Sequence, residues 1–575
     1  MMGCMSTPTP PRGKPEWWQK AVFYEIYPRS FQDSDGDGIG DIPGIINRLD
    51  YLQELGIDAL WICPFFRSPM KDFGYDVSDY TEIDPLFGSR EELETLLAEA
   101  HTRNMRVVFD LVLNHTSDEH RWFRHSRNSP DAPKADWYIW HPGVSGGIPS
   151  LRGRPKVPNN WLSLFEMKSA WWWDETRGEY YLGTFTESQP ELNWRNPEVR
   201  AAMYQVLQYW LDLGVDGFRL DVVNWLIKDD QFRNNPRSSK MKPDMFQQHI
   251  YDRNRPESHE ICKELRAITD SYTPSRDSKR KNRRVLIGEV FSPDLETAAS
   301  YYGSENDELH MAFNYDLLYR NWSAVAFHDS LSQWYDSLPE GAWPTITLSN
   351  HDQPRHYSRF KQDDAEARAR IASALLLTVR GTPFLYYGEE IGMEDHRMPK
   401  RELQDPLGKR TWPFSSLGRD PSRTPMQWDG SENAGFTGGG VTPWLPINPD
   451  HTERNVEVQR KDKQSLWHFY RALIRLRKGN RLLSEGEMHF TVPGTEDVLG
   501  YARSLKESSG TRVLLVLLNF SRRRVNNFPR LLEDPEGLLY HSASWEVLFG
   551  THRARRASLD LPVLHPYEVL LLNAR

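Results

Sequence analysis

Three acidic residues stand at the ends of short apolar runs, where a buried strand would finish. Asp221 follows GFRL, Glu289 follows VLIG, and Asp352 closes TITLSNHD. Retaining cleavage of a glycosidic bond needs one carboxylic acid to protonate the leaving oxygen and one carboxylate to attack the sugar. The types and positions of these residues therefore point to glycoside hydrolysis.

The neighbours of these carboxyls predict how the roles divide. Arg219 lies two residues before Asp221, on the same face of a strand. Its cation is expected to lower the pKa of Asp221 and keep this nucleophile ionised. Glu289 has no cation on its own run, so desolvation is expected to raise its pKa toward that of a general acid. Asp352, next to His351, is expected to bind sugar hydroxyls in the transition state.

These residues need a scaffold, and the chain carries eight short apolar runs separated by stretches of helical period. The runs are 21–27, 59–65, 107–115, 217–223, 285–291, 310–316, 345–352 and 382–390. Between them, 89–104 and 197–213 have the spacing of amphipathic helices. This alternation predicts an α/β fold with a parallel sheet, and eight strands fit a closed (β/α)₈ TIM barrel. The carboxyl ends of its strands would bring the three acids together.

The spacing of the runs also predicts the domain layout. Residues 1–16 form a polar, Pro-rich tail, and the barrel takes 17–113 and 193–488. The long interval after the third strand, 114–192, is expected to be an inserted subdomain. Strand-like runs and turn residues in 489–575 predict a C-terminal antiparallel β-sandwich.

Composition restricts the partners. The charges are interspersed along the 575 residues, with a net value of −9, so no nucleic-acid surface is indicated. The chain has no apolar run of about 18 residues and no secretion signal, so no membrane partner is expected. Cys4, Cys63 and Cys262 are expected to be free thiols in a reducing compartment. We expect a cytoplasmic protein, either a monomer or a weak homo-oligomer.

An acidic loop, DSDGDGIGD, suggests a cation site. Its oxygen ligands would be Asp33, Asp35, Asp37, the Ile39 carbonyl and Asp41. The alternation follows a calcium-binding loop, although Gly44 stands where such a loop usually ends in an acid. A structural Ca²⁺ or Mg²⁺ is expected here, and the alternative is a solvated acidic turn without an ion.

Four blocks resemble, in order and spacing, the signature regions of the α-amylase family of glycoside hydrolases. They are DLVLNH (110–115), GFRLDVV (217–223), IGEV (287–290) and LSNHDQPR (348–355). The family's oligo-1,6-glucosidase and α-glucosidase branch is resembled by QPELNW (189–194), GYDVSDYTEIDPLFG (74–88) and RTPMQWDGSENAGF (423–436). The resemblance extends from about Trp17 onward and implies a barrel, an inserted domain and a C-terminal β-sandwich.

The resemblance implies a role for each site residue. Asp221 would be the nucleophile, Glu289 the acid/base and Asp352 the transition-state stabiliser, without a cofactor in catalysis. The first glucose subsite and pocket lining would comprise Asp76, His115, Arg219, His351, Phe185, Gln189 and Arg423, with Tyr75 as an aromatic floor. Val222 would favour α-1,6-linked glucosides, because relatives with Ala or Thr at this position lean to α-1,4 linkages.

Two departures from the branch pattern bear on the acceptor side of the site. Glu191 stands where relatives often have Asp, and Glu166, Met167 and Lys168 occupy a turn expected to be rich in glycine. The expected function is a retaining, exo-acting α-glucosidase on short oligosaccharides such as isomaltose, with maltose or sucrose as other substrates.

Two alternative functions stay open. A sucrose isomerase or glucosyl-transferring enzyme would use the same intermediate, and product analysis would separate it from a hydrolase. A non-catalytic carbohydrate-binding or transporter-associated scaffold could share the fold. The full set of carboxylates would be costly to bury without a use, which disfavours the scaffold.

Overall fold

The protein is described by a computed structural model. It covers residues 14–144, 154–239, 247–272, 283–292, 294–362, 364–413, 418–491, 496–508, 510–526, 545–553, 558–559 and 563–574. Eight parallel strands form its centre: β1 (Phe23–Ile26), β2 (Ala59–Ile62), β3 (Arg106–Val112), β4 (Gly217–Asp221), β5 (Val285–Gly288), β6 (Met311–Ala312), β7 (Thr345–Thr347) and β8 (Thr382–Tyr386). Each predicted apolar run contains one of them.

The eight strands form a nearly closed barrel. Neighbours from β1 to β6 pair in parallel along the chain, and β8 pairs with both β1 and β7. Within the described residues no ladder joins β6 to β7, but the Thr345 hydroxyl donates to the Ala312 carbonyl at 2.8 Å and bridges them. Almost every strand residue is buried, as expected for a sheet covered on both faces. The predicted TIM-type barrel is confirmed.

The helices between the strands follow from local signals. Arg90–Thr102 begins with a capping box in which Ser89 and Glu92 bond each other's backbone N–H groups. Pro197–Leu213 begins after the cap Asn196 and ends at Gly214 in the left-handed conformation. Other long helices are Glu257–Ser271, Ala324–Ser337, Ala365–Thr378 and Leu466–Gly479. Their apolar faces cover the barrel.

Between β3 and β4 the chain forms additional elements. They are the helix Arg121–Ser126 and an antiparallel sheet of Trp140–His141, Glu179–Leu182 and Trp171–Asp174. A small apolar cluster around Trp161 and Trp171 stabilises this region. An inserted subdomain was expected here, and its proposed limits at 114 and 192 stay a prediction.

The C-terminal region forms an antiparallel sheet in the order β9-β10-β11-β14-β12-β13. Its strands are β9 (Glu487–Phe490), β10 (Val498–Glu507), β11 (Gly510–Asn519), β12 (Trp545–Gly550), β13 (Ser558–Leu559) and β14 (Val569–Ala574). Alternate residues of β11 face opposite ways: Leu514 and Val516 join the barrel core, whereas Leu515 and Leu517 build a separate core. The antiparallel prediction is confirmed, and the sheet packs on the barrel helices through one face.

Glu16 does not belong to the predicted loose tail. It caps the helix Trp17–Lys20 and accepts from Arg283 at 3.1 Å. Residues 1–13, including Cys4, lie outside the described residues. Cys63 and Cys262 are buried free thiols, as predicted. No helix in the described ranges is both long and apolar enough to cross a membrane.

Candidate active site

The carboxyl ends of the barrel strands surround a cavity of about 680 Å³. Of the predicted residues, Tyr75, His115, Phe185, Gln189, Asp221, Val222, Glu289 and Asp352 line it. Arg219, His351 and Arg423 lie behind its surface, each at most 1% exposed, and act on the carboxylates from there. A groove of similar size beside Leu466–Gly479 has no acidic residue among its lining and offers no such chemistry.

Arg219 links three carboxyl groups below the cavity. Its Nη1 donates to Asp110 Oδ1 and to Asp221 Oδ1, both at 2.8 Å. Its Nη2 contacts Glu289 Oε2 at 2.5 Å. The Tyr315 hydroxyl donates to the other oxygen of Glu289 at 3.1 Å. Asp221 and Glu289 are therefore fixed side by side at the ends of adjacent strands.

The separation of these two carboxyls decides the type of hydrolysis. Arg219 contacts an oxygen of each, Asp221 Oδ1 at 2.8 Å and Glu289 Oε2 at 2.5 Å, and the two acids directly follow paired residues of neighbouring strands, which holds them close together. Retaining glycosidases place the two carboxyls about 5–5.5 Å apart, and inverting ones roughly 6.5–9.5 Å apart to admit a water. The short separation in this pocket fits the retaining arrangement.

The predicted division of roles by pKa is wrong in its reasoning. Burial raises the pKa of Asp221 well above its usual value, and Arg219 only partly offsets this. Burial likewise raises the pKa of Asp110 to about 6. One guanidinium contacts three carboxyls, and it brings a cation to Glu289 from the neighbouring strand, although Glu289 has none on its own strand. The roles of Asp221 and Glu289 therefore rest on their positions.

Asp352 differs electrostatically from the other two acids. Burial would raise the pKa of Asp352, but His351, Arg423 and Arg419 beside it together outweigh burial and hold that pKa well below its usual range. Arg423 Nη2 donates to Asp352 Oδ1 at 2.7 Å. The side chain of Asp352 is 31% exposed to the pocket. Asp352 is thus an ionised acceptor directed at a ligand, which suits the binding of sugar hydroxyls.

Behind Asp352 lies a buried network that was not predicted. His351 Nδ1 contacts Glu25 Oε1 at 2.6 Å, and its Nε2 contacts the Tyr75 hydroxyl at 2.6 Å. Cys63 Sγ lies 3.7 Å from both Glu25 and His351. Burial lowers the pKa of His351 to about 3 and raises that of Glu25, so the pair is neutral. An acid inside the apolar run AVFYEIY was the signal that could have revealed Glu25.

The expectation for Asp76 is corrected. Its side chain is fully buried, with Oδ1 accepting from Ser68 and the Asp72 N–H and Oδ2 accepting from the Lys71 N–H. It braces the loop, and Asp72 lines the pocket instead. Asp72 accepts from Gln189 at 3.0 Å and from Arg419 at 2.5 Å. Asp72 and Arg419 were missed, although Asp72 lies only three residues before Tyr75.

Two further wall residues are organised by hydrogen bonds and ring contacts. His115 Nε2 donates to the Tyr75 carbonyl at 3.1 Å, and burial lowers the pKa of His115 to about 3. The neutral ring lies 5.1 Å from that of Phe185. Phe185, Val222 and Trp225 form an apolar cluster on this wall.

The two departures from the family pattern have different structural consequences. Glu191 is fully buried and pairs with Lys228, so it braces the fold and does not line the acceptor side. Met167 does line the pocket and has φ +53°, a conformation that glycine adopts freely. The turn therefore has a backbone shape that suits glycine, although methionine occupies it.

The acidic loop brings together fewer groups than predicted. Asp33, Asp35 and Asp37 offer oxygens within 4.8 Å of one another. Asp41 is not among the carboxylates that lie this close together. Its oxygens accept from the Ser34 and Gly44 N–H groups at 2.9 and 2.6 Å. It caps the helix Ile42–Asn47. Three convergent carboxylates fit a hard divalent cation, and Asp41 does not belong to that set.

Fold and site together define a class of protein. Paired carboxyls at the carboxyl ends of a parallel eight-stranded barrel are the arrangement of a barrel glycoside hydrolase. Residues 25–486 match the family model described as "Alpha amylase, catalytic domain". The chain therefore belongs to the α-amylase family of glycoside hydrolases.

Individual relatives agree with this assignment. The chain is 42% identical to a probable α-glucosidase of Rhizobium meliloti (88% of this chain, 90% of the relative). It is 40% identical to an oligo-1,6-glucosidase of Parageobacillus thermoglucosidasius (97% and 99%). Among solved structures, the α-glucosyl transfer enzyme XgtA superposes with a TM-score of 0.85 at 38% identity (98% and 100%). The isomaltulose synthase SmuA of Protaminobacter rubrum gives 0.85 at 32% identity (98% and 100%).

Proposed function

We propose that the protein is a retaining, exo-acting α-glucosidase that releases terminal glucose from short oligosaccharides such as isomaltose. The observation that carries this proposal is Arg219, which fixes Asp221 and Glu289 side by side at the inner end of the pocket. Similarity to oligo-1,6-glucosidases and α-glucosidases supports the same substrate class.

The geometry supports a two-step mechanism. Asp221 attacks C1 of the bound glucose while Glu289 donates its proton to the leaving oxygen, which gives a β-glucosyl ester on Asp221. Glu289, now ionised, takes a proton from water, whose oxygen displaces Asp221 and yields α-glucose. Asp352 accepts hydrogen bonds from sugar hydroxyls in both transition states. No cofactor is needed for either step.

The exo mode of action is supported by the closed inner side of the pocket. Arg419 contacts Asp72 at 2.5 Å and Asp405 at 2.7 Å, and so joins the loop after β2 to the loop after β8. Gln189 also donates to Asp72. A pocket closed in this way holds one terminal glucose, whereas an endo-acting enzyme needs a groove open at both ends.

The test is initial glucose release from isomaltose, maltose and sucrose, with Asp221→Asn as the control. We expect cleavage of isomaltose that is lost in the control, and NMR of the first product should detect α-glucose. Initial β-glucose would refute retention, and absence of cleavage of all three sugars would refute the glucosidase proposal and favour the scaffold.

A second candidate is glucosyl transfer or sucrose isomerisation, favoured by the similarity to XgtA and to the isomaltulose synthase. It would use the same ester on Asp221 but pass the glucosyl group to a sugar hydroxyl. Chromatography of the products formed from sucrose separates the two: free glucose and fructose indicate hydrolysis, and isomeric disaccharides indicate transfer.

We also propose a structural divalent cation, Ca²⁺ or Mg²⁺, at Asp33, Asp35 and Asp37, with the Ile39 carbonyl as a further ligand. Their converging oxygens support it, and the ion would brace the loop without entering the reaction. Chelation with EDTA should lower the Tm of the wild type but not that of an Asp35→Asn, Asp37→Asn variant. An equal Tm with and without EDTA in the wild type would favour the solvated turn.

The working form is proposed to be a cytoplasmic monomer or weak homo-oligomer, with small oligosaccharides as ligands and neither nucleic acid nor membrane as a partner. One chain contributes all the site carboxyls, and the buried free thiols Cys63 and Cys262 suit a reducing compartment. Light scattering and cell fractionation test these two points.

A further inference from the structure

Outside the catalytic carboxyls the pocket opens through a surface that we call the mouth. It is formed by segments 164–167 of the insertion, 318–319 after β6 and 407–411 after β8. The inner end of the pocket takes the glucose that is released. The group bonded to C1 of that glucose must therefore extend outward across the mouth.

The mouth is apolar. Its lining includes Leu164, Phe165, Met167, Leu318, Tyr319 and Leu407. The described residues include seven exposed large hydrophobic side chains; Met167 (48% exposed) and Tyr319 (53%) lie in the mouth, and Trp412 directly follows it. Soluble proteins rarely group such side chains at one opening without a binding role.

Three polar side chains beside the mouth hold hydrogen bonds within the protein, whereas Asn314 Nδ2, elsewhere in the pocket lining, has no partner among the described residues. The carboxylate of Asp316 accepts from Arg320 at 2.8 and 2.9 Å. The Ser292 hydroxyl donates to Asp294 at 3.1 Å, and the Thr411 hydroxyl donates to the Leu407 carbonyl at 2.8 Å. A sugar lying on the apolar side chains of the mouth would lose hydration of its hydroxyls there, so these side chains suit an apolar group better.

The backbone at Met167 is an independent observation. Its φ of +53° is a conformation that costs energy for any residue with a Cβ and that glycine or asparagine adopts more easily. The turn is held across the mouth by Glu166, which pairs with Arg410. Strained residues tend to cluster at functional sites, and Met167 combines this strain with an exposed side chain in the pocket wall.

We propose that the mouth is an aglycone subsite that selects α-glucosides with a long alkyl leaving group, with Met167 and Tyr319 as its main contacts. The proposal rests on the proposed glucosidase function and defines the substrate class of the same pocket. The glucose fills the inner end, and the apolar leaving group covers the two exposed side chains.

The test compares octyl α-glucoside, below its micelle concentration, with methyl α-glucoside. The two share the glucose and differ little in the acidity of the leaving alcohol, so contact with the mouth is the main difference. Each buried methylene favours binding by roughly fourfold, and we expect kcat/KM to be at least about tenfold higher for the octyl compound. In the double variant Met167→Asn, Tyr319→Ser that ratio should fall at least about fivefold.

The matched control is Leu86→Asn, which removes an exposed leucine outside the mouth and should leave the ratio unchanged. Equal kcat/KM for the two glucosides in the wild type, or an unchanged ratio in the double variant, would overturn the proposal. So would a loss on isomaltose larger than the loss on octyl glucoside, because the mouth would then bind a sugar.

If the wild type cleaves no glucoside, the glucosidase proposal fails, and calorimetric binding decides the subsite separately. Octyl glucoside should bind at least about tenfold more tightly than methyl glucoside, and equal affinities would overturn the aglycone subsite.

Discussion

The backbone N–H of Val222 donates to Oε2 of Glu289 at 3.2 Å, while Val222 itself has a left-handed backbone with φ +37°. A β-branched residue rarely adopts this conformation, because its Cβ crowds the backbone. The strained turn after β4 thus gives the acid/base carboxyl a fixed donor. It also places the valine side chain beside Phe185 and Trp225 on the pocket wall.

This position predicts an effect on linkage preference. Val222→Thr keeps the size and branching of the side chain but adds a hydroxyl to the apolar wall beside the reacting carbons. We expect the ratio of kcat/KM for isomaltose over maltose to fall by roughly fivefold or more, within the range that one changed group in a pocket produces. Initial glucose release from both sugars measures it. An unchanged ratio would remove Val222 from the specificity argument.

The neutral pair of Glu25 and His351 predicts different effects for two substitutions. Glu25 Oε1 contacts His351 Nδ1 at 2.6 Å and accepts from its backbone N–H at 3.2 Å. Glu25→Gln keeps a neutral hydrogen-bonding side chain, and we expect kcat/KM within about tenfold of wild type. Glu25→Ala leaves a buried imidazole nitrogen without its partner, which should lower kcat/KM by roughly a further tenfold.

The pH profile distinguishes this positioning role from a role in proton transfer. Burial raises the pKa of Glu25 and lowers that of His351 to about 3, and both shifts favour the neutral forms. The profile of kcat/KM between pH 5 and 8 should therefore keep its shape in Glu25→Gln. A displaced limb in that variant would mean that Glu25 is ionised in the working enzyme.

The sequence predicts what depends on local pattern. Strand and helix positions follow from apolar spacing and from caps such as Ser89, and the grouping of Asp221, Glu289 and Asp352 follows from the rule that barrel strand ends converge. The contact of one guanidinium, that of Arg219, with three carboxyls could not be predicted from local pattern. It depends on the register of β4 with β5, which pairs Leu220 with Gly288 and so sets the following acids side by side.

The loop after β2 is a second place where the sequence alone does not predict the site. Asp72 and Asp76 lie in one short block, and their residue types alone do not indicate which of them faces the pocket. The path of the backbone decides, through left-handed conformations at Phe73 (φ +51°) and Gly74 (φ +106°). The tertiary partner Arg419, which holds Asp72, comes from a segment without helical or strand periodicity.

Replacing Asp110 by asparagine should stabilise the protein by an amount that depends on pH. Burial raises the pKa of Asp110 to about 6 in the folded protein from an ordinary value of 3.8. The folded state therefore holds the proton more tightly, and stability falls as pH rises from about 4 to about 6. Above that range the ionised acid costs roughly 1–3 kcal/mol. Asp110→Asn avoids this cost and should unfold at higher urea than the wild type at pH 7.

The same variant should lose most of its advantage at pH 4, where the wild-type Asp110 is protonated. Its activity should fall at either pH, because Arg219 loses one of the carboxylates that orient it. Urea titrations at the two pH values check the stability. A gain at pH 4 equal to that at pH 7 would contradict the linkage.

The buried pair of Glu191 and Lys228 predicts a large loss of stability. Their side chains are at most 1% exposed. Lys228 Nζ also donates to Asn114 at 3.0 Å, and Glu191 accepts from the Thr184 N–H at 3.0 Å. Glu191→Gln leaves the ammonium buried without a counter-charge, which should lower the free energy of unfolding by roughly 3–5 kcal/mol. Urea denaturation measures this.

Controls separate this pair from ion pairs in general. Lys71 pairs with Asp118 at 2.7 Å, but both side chains are partly exposed, at 40% and 29%. Lys71→Met should therefore change the free energy of unfolding by less than about 1 kcal/mol. Adding Lys228→Met to Glu191→Gln removes the unpaired charge and should recover part of the loss. If the double variant is no more stable than Glu191→Gln, the loss comes from packing around Glu191, and the buried charge is not its cause.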